Sequence, residues 1–566
     1  MFGAADLNIY ADVLLAILRY LAPALAIVLL VRCALPLLTF QTSPEVWGWL
    51  VMPDDTRKTV SHWESVIGRH GKSDIVLDFP TVSRIHAVLT RYDDGSWTLS
   101  DAGSKEGVFV NGKQAQVHVL RTGDVVSIGG VEMVFEAISR QQEKVLTSRR
   151  PKASGPLPGI VNLMLLTFLQ ALCCLAFFLV DGENAASVIS GFGGLAALQW
   201  GLFFLYLCIR RPAFEVETIA FFLCTMGMAA ICTVAPGETI KQLLAVCLGL
   251  VAFLGIGWAM RDLERAKALR YLAAIAGVAL LVVTLVFGKE YYGAKNWLKI
   301  GSFSFQPSEL AKICFIWVGA STLDRLLNKR NLILFIAYTL VLCGCLALMN
   351  DFGTALIFFV AFLLIAYMRS GSVGTIALAC TALGFAGMIG VKIAPHALRR
   401  FTTWRHIWED PFGAGYQQTR ALICIASGGL LGMGAGQGKM KTIFAADSDM
   451  VFATISEEWG MILAVICVLC IVVLALFALR TTAISRSSFY AIAGCTAAGI
   501  LLVQTVLNVL GTVDILPLTG VTFPFLSNGG SSMICVWGLL AFIKAADTRR
   551  SASFAVRPIR FRKEDL

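Results

Sequence analysis

Long apolar segments separated by short polar connections occupy most of the chain. A membrane-spanning helix needs about 20 predominantly apolar residues, and these segments have roughly that length. Near the N-terminus Arg19 and Arg32 interrupt the apolar run, but such long side chains can extend to opposite interfaces. We therefore predict a polytopic α-helical membrane protein with about 13 transmembrane helices. The predicted spans lie near residues 10–40, 158–181, 188–209, 215–234, 239–260, 268–288, 308–325, 331–349, 353–368, 374–393, 451–479, 489–511 and 530–545.

Residues 48–140 follow a different pattern. Short apolar triplets alternate with turn residues and charges, as in "DIVLDF", "GVFVNG" and "DVVSIGG". Such alternation favours half-buried strands joined by tight turns, so we predict a small inserted all-β domain. The predicted organisation is an N-terminal transmembrane helix at 1–44, the all-β domain at 45–140, a polar linker at 141–157, an additional transmembrane hairpin at 158–210, a helical core at 211–546 and a basic tail at 547–566.

Composition and charge narrow the class of protein. Of the 566 residues, 57% are hydrophobic and 15% charged, which excludes a single soluble enzyme. The net charge is +10, and the basic residues cluster in alternate connections such as "CIRRPAFE". By the positive-inside rule the all-β domain and the C-terminus lie in the cytoplasm and residues 394–450 lie outside. The 16 cysteines have no metal-like spacing, so we predict that they are apolar packing residues and that there is no metal site. Because the basic residues lie in short stretches between apolar segments, we predict no nucleic-acid binding.

The outer region 399–458 contains the candidate chemistry. It combines basic residues, carboxylates and glycines beside the bilayer, which favours a site for an anionic, lipid-linked substrate. The alternative is a solvated loop whose charges only mark helix ends, and composition alone favours it. For Asp449 the corresponding alternative is a helix cap before the span that begins near Met450.

Seven motifs in order resemble the SEDS family, the RodA and FtsW group of cell-wall polymerases, over residues 215–545. They are "GAKNW", "FQPSELAK", "DFGTAL", "WEDPFGAGYQ", "SGGLLGMGAGQG", "DSDMVFATISEEWG" and "LPLTGVTFPFLSNGGSS". The resemblance implies a ten-helix SEDS core that polymerises lipid II into a growing glycan strand at the outer face of the bacterial plasma membrane. It also implies a class B penicillin-binding transpeptidase as partner. It implies no definite cofactor, and it leaves open a divalent cation such as Mg or Mn.

The family motif places its essential aspartate at Asp449. A carboxylate there can take the proton from a sugar hydroxyl as the hydroxyl attacks an anomeric carbon. Asp447 stands where the family has histidine. This second carboxylate either raises the proton affinity of Asp449 or helps to hold a divalent cation.

Further substrate-binding residues follow from the resemblance. Arg400 and Lys439 align with basic positions of the family and are candidates to balance the pyrophosphate charge, with interfacial anchoring as the alternative. Lys295 and Trp297 lie in "GAKNW", although Asn296 replaces a frequent arginine and weakens a phosphate role.

Three other motif positions have structural alternatives. Glu309 and Lys312 share a helix face and are expected to form a salt bridge lining the cavity. Asp351 is predicted to cap the following helix. Asn528 stands where the family generally has tyrosine, which leaves a substrate contact there in doubt.

Residues 45–140 contain "IGRHGKSDIVLDFPTVSRIHAVL" and resemble the forkhead-associated (FHA) domain, a β-sandwich that recognises phosphothreonine. In this resemblance the family's phosphate ligands map onto Arg69 and Ser83, with Arg84 beside them. An arginine fork and a hydroxyl are groups that bind phosphate oxygens. Glu106 replaces a usual asparagine and would repel phosphate. The implied partners are a phosphothreonine protein and a serine/threonine kinase pathway.

The combined prediction is a lipid II polymerase that is regulated or localised through an FHA domain. Two alternatives remain at this point. One is a flippase or transporter of lipid-linked precursors, because a polar cavity in a helix bundle also suits translocation. The other is a non-catalytic, phospho-dependent scaffold of the cell-wall machinery.

Overall fold

The structure is a computed structural model. It describes residues 4–556 except 41–44, 72, 93–94, 181–183, 292–293, 301–302, 324–328, 371–372, 375, 382–383, 385–394, 483–484 and 486.

The predicted all-β domain is a sandwich of two sheets. The strands are β1 (Gly48–Val51), β2 (Arg57–Val60), β3 (Glu64–Gly68), β4 (Ile75–Val76), β5 (Ala87–Arg91), β6 (Trp97–Asp101), β7 (Val108–Val110), β8 (Lys113–Gln114), β9 (Val117–Leu120), β10 (Val125–Ile128) and β11 (Val131–Ala137). One sheet has the order β2-β1-β11-β10-β7-β8 and the other β4-β3-β5-β6-β9. Alternate residues of the strands fill the core, where Trp97 packs edge-on against Phe135 at 5.3 Å between ring centroids.

Most of the segment predicted as a polar linker is helical. The helix α2 (Arg140–Arg149) begins with a capping box in which Ser139 and Gln142 satisfy each other's backbone N–H groups. Glu143 on this helix pairs with Arg91 of the sandwich. Because the breakers Pro151 and Gly155 follow the helix, they end it and do not prevent it.

The remaining chain folds into a bundle of apolar helices. They are α1 (Ala4–Leu38), α3 (Pro156–Val180), α4 (Ala185–Cys208), α5 (Glu215–Val234), α6 (Thr239–Ala259), the short α7 (Leu263–Ala268), α8 (Arg270–Phe287), α9 (Pro307–Leu323), α10 (Lys329–Leu348), α11 (Phe352–Ser370), α14 (Val451–Thr482), α15 (Ser488–Thr512) and α16 (Gly530–Ala546). Helices occupy twelve of the thirteen predicted spans, and ten described helices are long and apolar enough to cross a membrane. The thirteenth span, 374–393, lies mostly outside the described residues. The predicted fold class is confirmed.

The connections on the side of Asp449 carry their own structure. Three short strands, β12 (Lys289–Tyr291), β13 (Ala294–Ile300) and β14 (Phe303–Phe305), form a small antiparallel sheet between α8 and α9. The connection between α11 and α14 contains α12 (Pro395–Thr403) and α13 (Tyr416–Gly428). Its described residues 395–450 form a long segment between helices, and such segments are often functional.

The three helices that precede the core are joined to it by polar contacts. Gln170 of α3 and Gln199 of α4 donate to each other at 3.1 and 3.0 Å, and Gln170 also donates to Thr225 of α5 at 3.0 Å. In a bilayer such contacts favour helix association because the lipid offers no alternative partner. The two arginines of α1 have hydrogen-bond partners within the protein. Arg32 donates to Asn162 at 2.7 Å and Arg19 to the Met433 carbonyl.

A buried ion pair joins the first and last helices of the core. Lys544 of α16 lies 3.0 and 3.1 Å from the two carboxylate oxygens of Glu217 on α5, and both side chains are fully buried. Tyr206 of α4 donates to the same carboxylate at 2.9 Å, and Lys544 donates to the Ala213 carbonyl at 3.0 Å. The pair therefore satisfies most of its hydrogen-bonding groups inside the bundle.

The sandwich rests on the helix ends that lie away from Asp449. Glu64 of β3 lies 3.6 Å from Arg369 at the end of α11 and accepts a hydrogen bond from the Ser488 hydroxyl at the start of α15 at 2.5 Å. Lys267 lies over the Tyr92 ring at 5.6 Å. These contacts fix one face of the sandwich to the bundle.

Candidate active site

The segment 443–450, just before α14, presents Asp449 at the edge of the helix bundle. Its backbone is held from two sides. The Asn508 amide of α15 donates to the Asp449 carbonyl at 2.9 Å and to the Val521 carbonyl at 2.9 Å. Thr454 donates to the Ala446 carbonyl at 2.7 Å. The Asp449 side chain itself is half-buried, so it is still within reach of a ligand.

Arg400 and Asp449 approach each other across Gly520. A Cβ atom at Gly520 would lie 3.4 Å from Asp449 Oδ2 and 3.9 Å from an Arg400 nitrogen, and the backbone φ there is +71°. These are ordinary contact distances, so it is the left-handed backbone conformation that favours glycine here. Arg400 is anchored by a 3.0 Å hydrogen bond to the Thr519 carbonyl.

Electrostatics give Asp449 an unusual affinity for protons. Burial raises the pKa of this carboxyl to about 6, the Arg400 guanidinium lowers it, and the neighbouring Asp447 carboxylate raises it. The direction of this effect agrees with the first role predicted for Asp447, which is to raise the proton affinity of Asp449. In the described part of the chain, no three His, Cys, Asp or Glu side chains gather where they could hold a metal ion.

The start of α16 packs against the same segment. Ser527 donates to the Ser448 carbonyl at 2.6 Å, and Asn528 donates to Asp447 through both its backbone and its side chain. Two distant motifs, "DSDM" and "PFLSNGGSS", thus form one wall.

A second polar cluster lies on the other side of the α16 start. Asp351 accepts hydrogen bonds from Asn296 at 3.1 Å, Gln306 at 3.2 Å and the backbone N–H of Thr354 at 3.1 Å. The last contact confirms the predicted helix cap. Ser531 accepts from the backbone N–H of Gln306 at 3.2 Å, so "GAKNW", "FQPSELAK", "DFGTAL" and "NGGSS" meet here.

Other predicted binding residues lie apart from Asp449. Lys312 pairs with Glu309 at 2.7 Å, as predicted, but both side chains are closed inside the bundle and expose 1% and 7% of their area. Lys295 reaches the Val286 carbonyl at the end of α8 at 3.5 Å, and Trp297 lies half-buried in β13. Among the described residues, no hydrogen bond or ion pair joins these four side chains to Asp449, so their substrate-binding role stays a prediction.

Lys439 contributes its backbone to a glycine-rich turn. Its N–H donates to Glu457 at 2.9 Å, and the neighbouring Met440 and Gly438 donate to Glu457 and Glu458 at 2.8 and 3.2 Å. The Lys439 side chain is exposed. These two glutamates of α14 therefore fix the turn, and contact of Lys439 with pyrophosphate stays a prediction.

The sandwich has a separate polar site at the ends of its strands. The Arg69 N–H donates to the Ser83 carbonyl at 3.0 Å, and the Lys105 N–H donates to the Ser83 hydroxyl at 3.2 Å. The side chains of Arg69, Arg84, Lys105 and Glu106 are exposed. His86 is fully buried and bonds to the Ser83 N–H and the Gly107 carbonyl, so it is a residue of the domain core.

Two residues of these sites were missed by the sequence reasoning. Asn508 holds the Asp449 backbone, and a polar residue inside an apolar span was the available signal. Lys105 adds a positive charge beside Ser83, and its signal was its position in the loop "GSKEGV" that also contains Glu106.

The fold and the site together define a polytopic membrane protein. The connections at one end of its helix bundle build a polar site around one carboxylate, and the chain contains an inserted β-sandwich. Comparison with known proteins identifies the family. The model of the FtsW, RodA and SpoVE family, described as "Cell cycle protein", matches residues 218–552, and the FHA domain model matches residues 65–129. The chain therefore belongs to the FtsW/RodA/SpoVE family and carries an FHA domain.

Individual relatives agree with this assignment. The chain is 28% identical to "Peptidoglycan glycosyltransferase RodA" of Mycobacterium tuberculosis over 57% of this chain and 72% of that protein. It is 33% identical to "Probable peptidoglycan glycosyltransferase FtsW" of Tolumonas auensis over 54% and 82%. A solved chain from "Structural coordination of polymerization and crosslinking by a peptidoglycan synthase complex" matches with a TM-score of 0.51 and 25% identity over 58% of this chain and 96% of that chain.

Proposed function

We propose that this protein is a peptidoglycan glycosyltransferase that polymerises lipid II into glycan strands at the outer face of the plasma membrane. Its relatives carry that activity in their names. The observation that carries the proposal for this chain is the half-buried Asp449 carboxyl, whose raised pKa suits a general base, facing Arg400 across Gly520.

In the proposed reaction the incoming lipid II supplies the hydroxyl that attacks. Asp449 accepts its proton while the oxygen forms a bond to the anomeric carbon of the growing strand, and the bond from that carbon to the lipid pyrophosphate breaks. The electron pair of the broken bond leaves with the pyrophosphate. Arg400, fixed at Thr519, supplies positive charge toward the anionic leaving group.

The direct test is polymerisation by the purified full chain from fluorescent lipid II, with and without a class B transpeptidase. We expect a ladder of glycan strands on a gel. Transport of labelled lipid II across a vesicle bilayer, without polymer in either condition, would support the flippase alternative. A chain that neither polymerises nor transports would support the scaffold alternative.

The transpeptidase is the partner we propose for the membrane domain. The support is the similarity to the chain from a peptidoglycan synthase complex in which polymerization and crosslinking are coordinated. We further propose that the C-terminus and the FHA domain lie in the cytoplasm, because basic connections mark that side and the sandwich rests on the helix ends away from Asp449.

The polymerisation rate is expected to depend on pH near 6. A general base must be deprotonated, and the pKa of Asp449 is raised to about 6 from the ordinary value of 3.8. The rate should therefore be full above this pH and fall about tenfold per unit below it. Initial rates between pH 5 and 8 check this, and a rate that stays constant down to about pH 4.5 would contradict a base with this pKa.

We propose that the FHA domain binds phosphothreonine and so regulates or localises the enzyme. The support is the exposed Arg69 beside Ser83, with Lys105 on the adjacent loop. Phosphate oxygens need such charged and hydroxyl donors. A phosphorylated protein of a serine/threonine kinase pathway is the partner this implies.

Replacing Arg69 by alanine is expected to lower affinity for phosphothreonine peptides at least about tenfold, because a charged hydrogen bond to phosphate is lost. Fluorescence anisotropy of the full chain in detergent, with a degenerate phosphothreonine peptide library, measures this. The matched control is Arg57→Ala, an exposed arginine of β2 that pairs with Glu136. Equal binding by both variants, or binding of the unphosphorylated library by the wild type, would argue against the site.

A further inference from the structure

Two residues at which the chain departs from its family are bonded to each other. The Asn528 side-chain amide donates to Asp447 Oδ2 at 2.7 Å, and its backbone N–H donates to the Asp447 carbonyl at 2.8 Å. In the family that the sequence resembles, tyrosine generally stands at position 528 and histidine at position 447. Both departures therefore fall on one contact, and the contact joins the Asp449 segment to the start of α16.

Neighbouring hydrogen bonds join the same two segments. Ser527 donates to the Ser448 carbonyl at 2.6 Å and accepts from the Phe523 N–H at 2.8 Å. Residues 447 and 448 are thus each bonded to one residue of the α16 start. Asp449 follows these two residues directly, so Asn528 holds the backbone two residues before the carboxylate.

The contact also determines where charge lies. An amide is uncharged, so Asn528 holds Asp447 without neutralising it. The charged groups that act on Asp449 in the described structure are Asp447 on its own segment and Arg400 on α12. The elements on the other sides contribute the neutral Asn508 of α15 and the neutral Asn528. Asp447 therefore opposes Arg400 in its effect on Asp449.

We propose that Asp447 and Asn528 form a matched pair of positioning residues that sets both the place and the protonation of Asp449. The inference rests on the proposed function for its catalytic meaning. Neither residue needs to touch the substrate. The pair requires one acceptor and one donor, and it requires the negative charge on the side of residue 447.

The experiment compares four variants with the wild type. In Asp447→Asn the charge is removed. In Asn528→Asp two carboxylates face each other, and in the double variant Asp447→Asn with Asn528→Asp the donor and acceptor are exchanged. Glu409→Gln, an exposed carboxylate of the same connection between α11 and α14 that pairs with His406, is the control.

Polymerisation rates are expected to fall at least about tenfold in Asn528→Asp, because like charges at hydrogen-bond distance repel. The double variant should recover to within about threefold of Asp447→Asn, because the hydrogen bond is restored. The acid midpoint of the rate should shift to lower pH in Asp447→Asn and stay in place in Glu409→Gln. A double variant as slow as the product of its single variants, or an unshifted midpoint, would overturn the proposal.

A second readout separates this inference from the proposed function. Carbodiimide couples to the protonated form of a carboxyl, so the pH dependence of labelling at Asp449, read by peptide mass spectrometry, follows its titration without any turnover. We expect the labelling midpoint to shift to lower pH in Asp447→Asn even if the chain makes no glycan. A shifted labelling midpoint in a chain that makes no glycan would support the pair of positioning residues and contradict the proposed polymerase. Glycan formation with an unshifted midpoint would support the polymerase and contradict the pair.

Discussion

Replacing Asp449 by asparagine is expected to lower glycan polymerisation at least about 100-fold. The amide has almost the shape of the carboxylate but cannot accept the proton of the attacking hydroxyl, and general-base catalysis contributes about 10²- to 10⁴-fold. Because Asn508 and Asn528 hold the segment through the backbone of Asp449 and through Asp447, the variant should keep its fold. The measurement is the initial rate with fluorescent lipid II.

Two controls make this loss interpretable. Glu409→Gln removes one exposed negative charge from the same connection between α11 and α14 and should polymerise at the wild-type rate. Unfolding of the Asp449→Asn variant in an SDS titration should match the wild type. If Asp449→Asn retained more than about a tenth of the rate, Asp449 would not be the base.

Replacing Lys544 by methionine is expected to lower the free energy of unfolding by about 3–5 kcal/mol. The change leaves the Glu217 carboxylate buried without its counter-charge, and removing one partner of a buried ion pair has a cost of this size. The hydrogen bond from Tyr206 remains but carries no full charge. An SDS titration of the purified protein measures the loss.

The matched control is Lys241→Met. Lys241 also pairs with a glutamate, Glu238, at 2.6 Å, but these side chains expose 50% and 41% of their area. The loss there should be below about 1 kcal/mol because water screens the pair. A double variant, Lys544→Met with Glu217→Gln, should recover much of the stability. Equal losses for the two lysine variants would show that burial does not govern the energy of the Lys544 pair.

Local sequence pattern was sufficient to predict most of the fold. Apolar length predicted the spans and period-two alternation predicted the sandwich, because both depend on neighbouring residues alone. The pattern did not predict the contacts of polar residues whose partners lie far away in the sequence. Arg32 of α1 bonds Asn162, and Glu143 of the expected linker pairs with Arg91, and neither partner is visible from local periodicity.

The site shows the same division between local and distant information. The cap at Asp351 and the pair of Glu309 with Lys312 involve residues three apart and could be predicted from spacing. The contact of Asn508 with Asp449 joins residues 59 apart, and Asn528 lies 81 residues from Asp447. Such contacts follow from helix packing, so the sequence could indicate the residues but not their pairing.

The two ends of the sandwich are joined to each other, since Arg150 forms two hydrogen bonds, at 2.7 and 2.9 Å, with Glu45 just before the first strand, while Glu64 holds one face against the bundle. A domain held by such contacts does not depend on the reach of a flexible linker, which grows with the square root of the linker's length. A phosphoprotein captured by this domain would be held beside the helix bundle at an effective concentration in the millimolar range. At that concentration a second contact between the phosphoprotein and the bundle would be largely occupied even if its own affinity were low. The two contacts together would then bind more tightly than either contact alone.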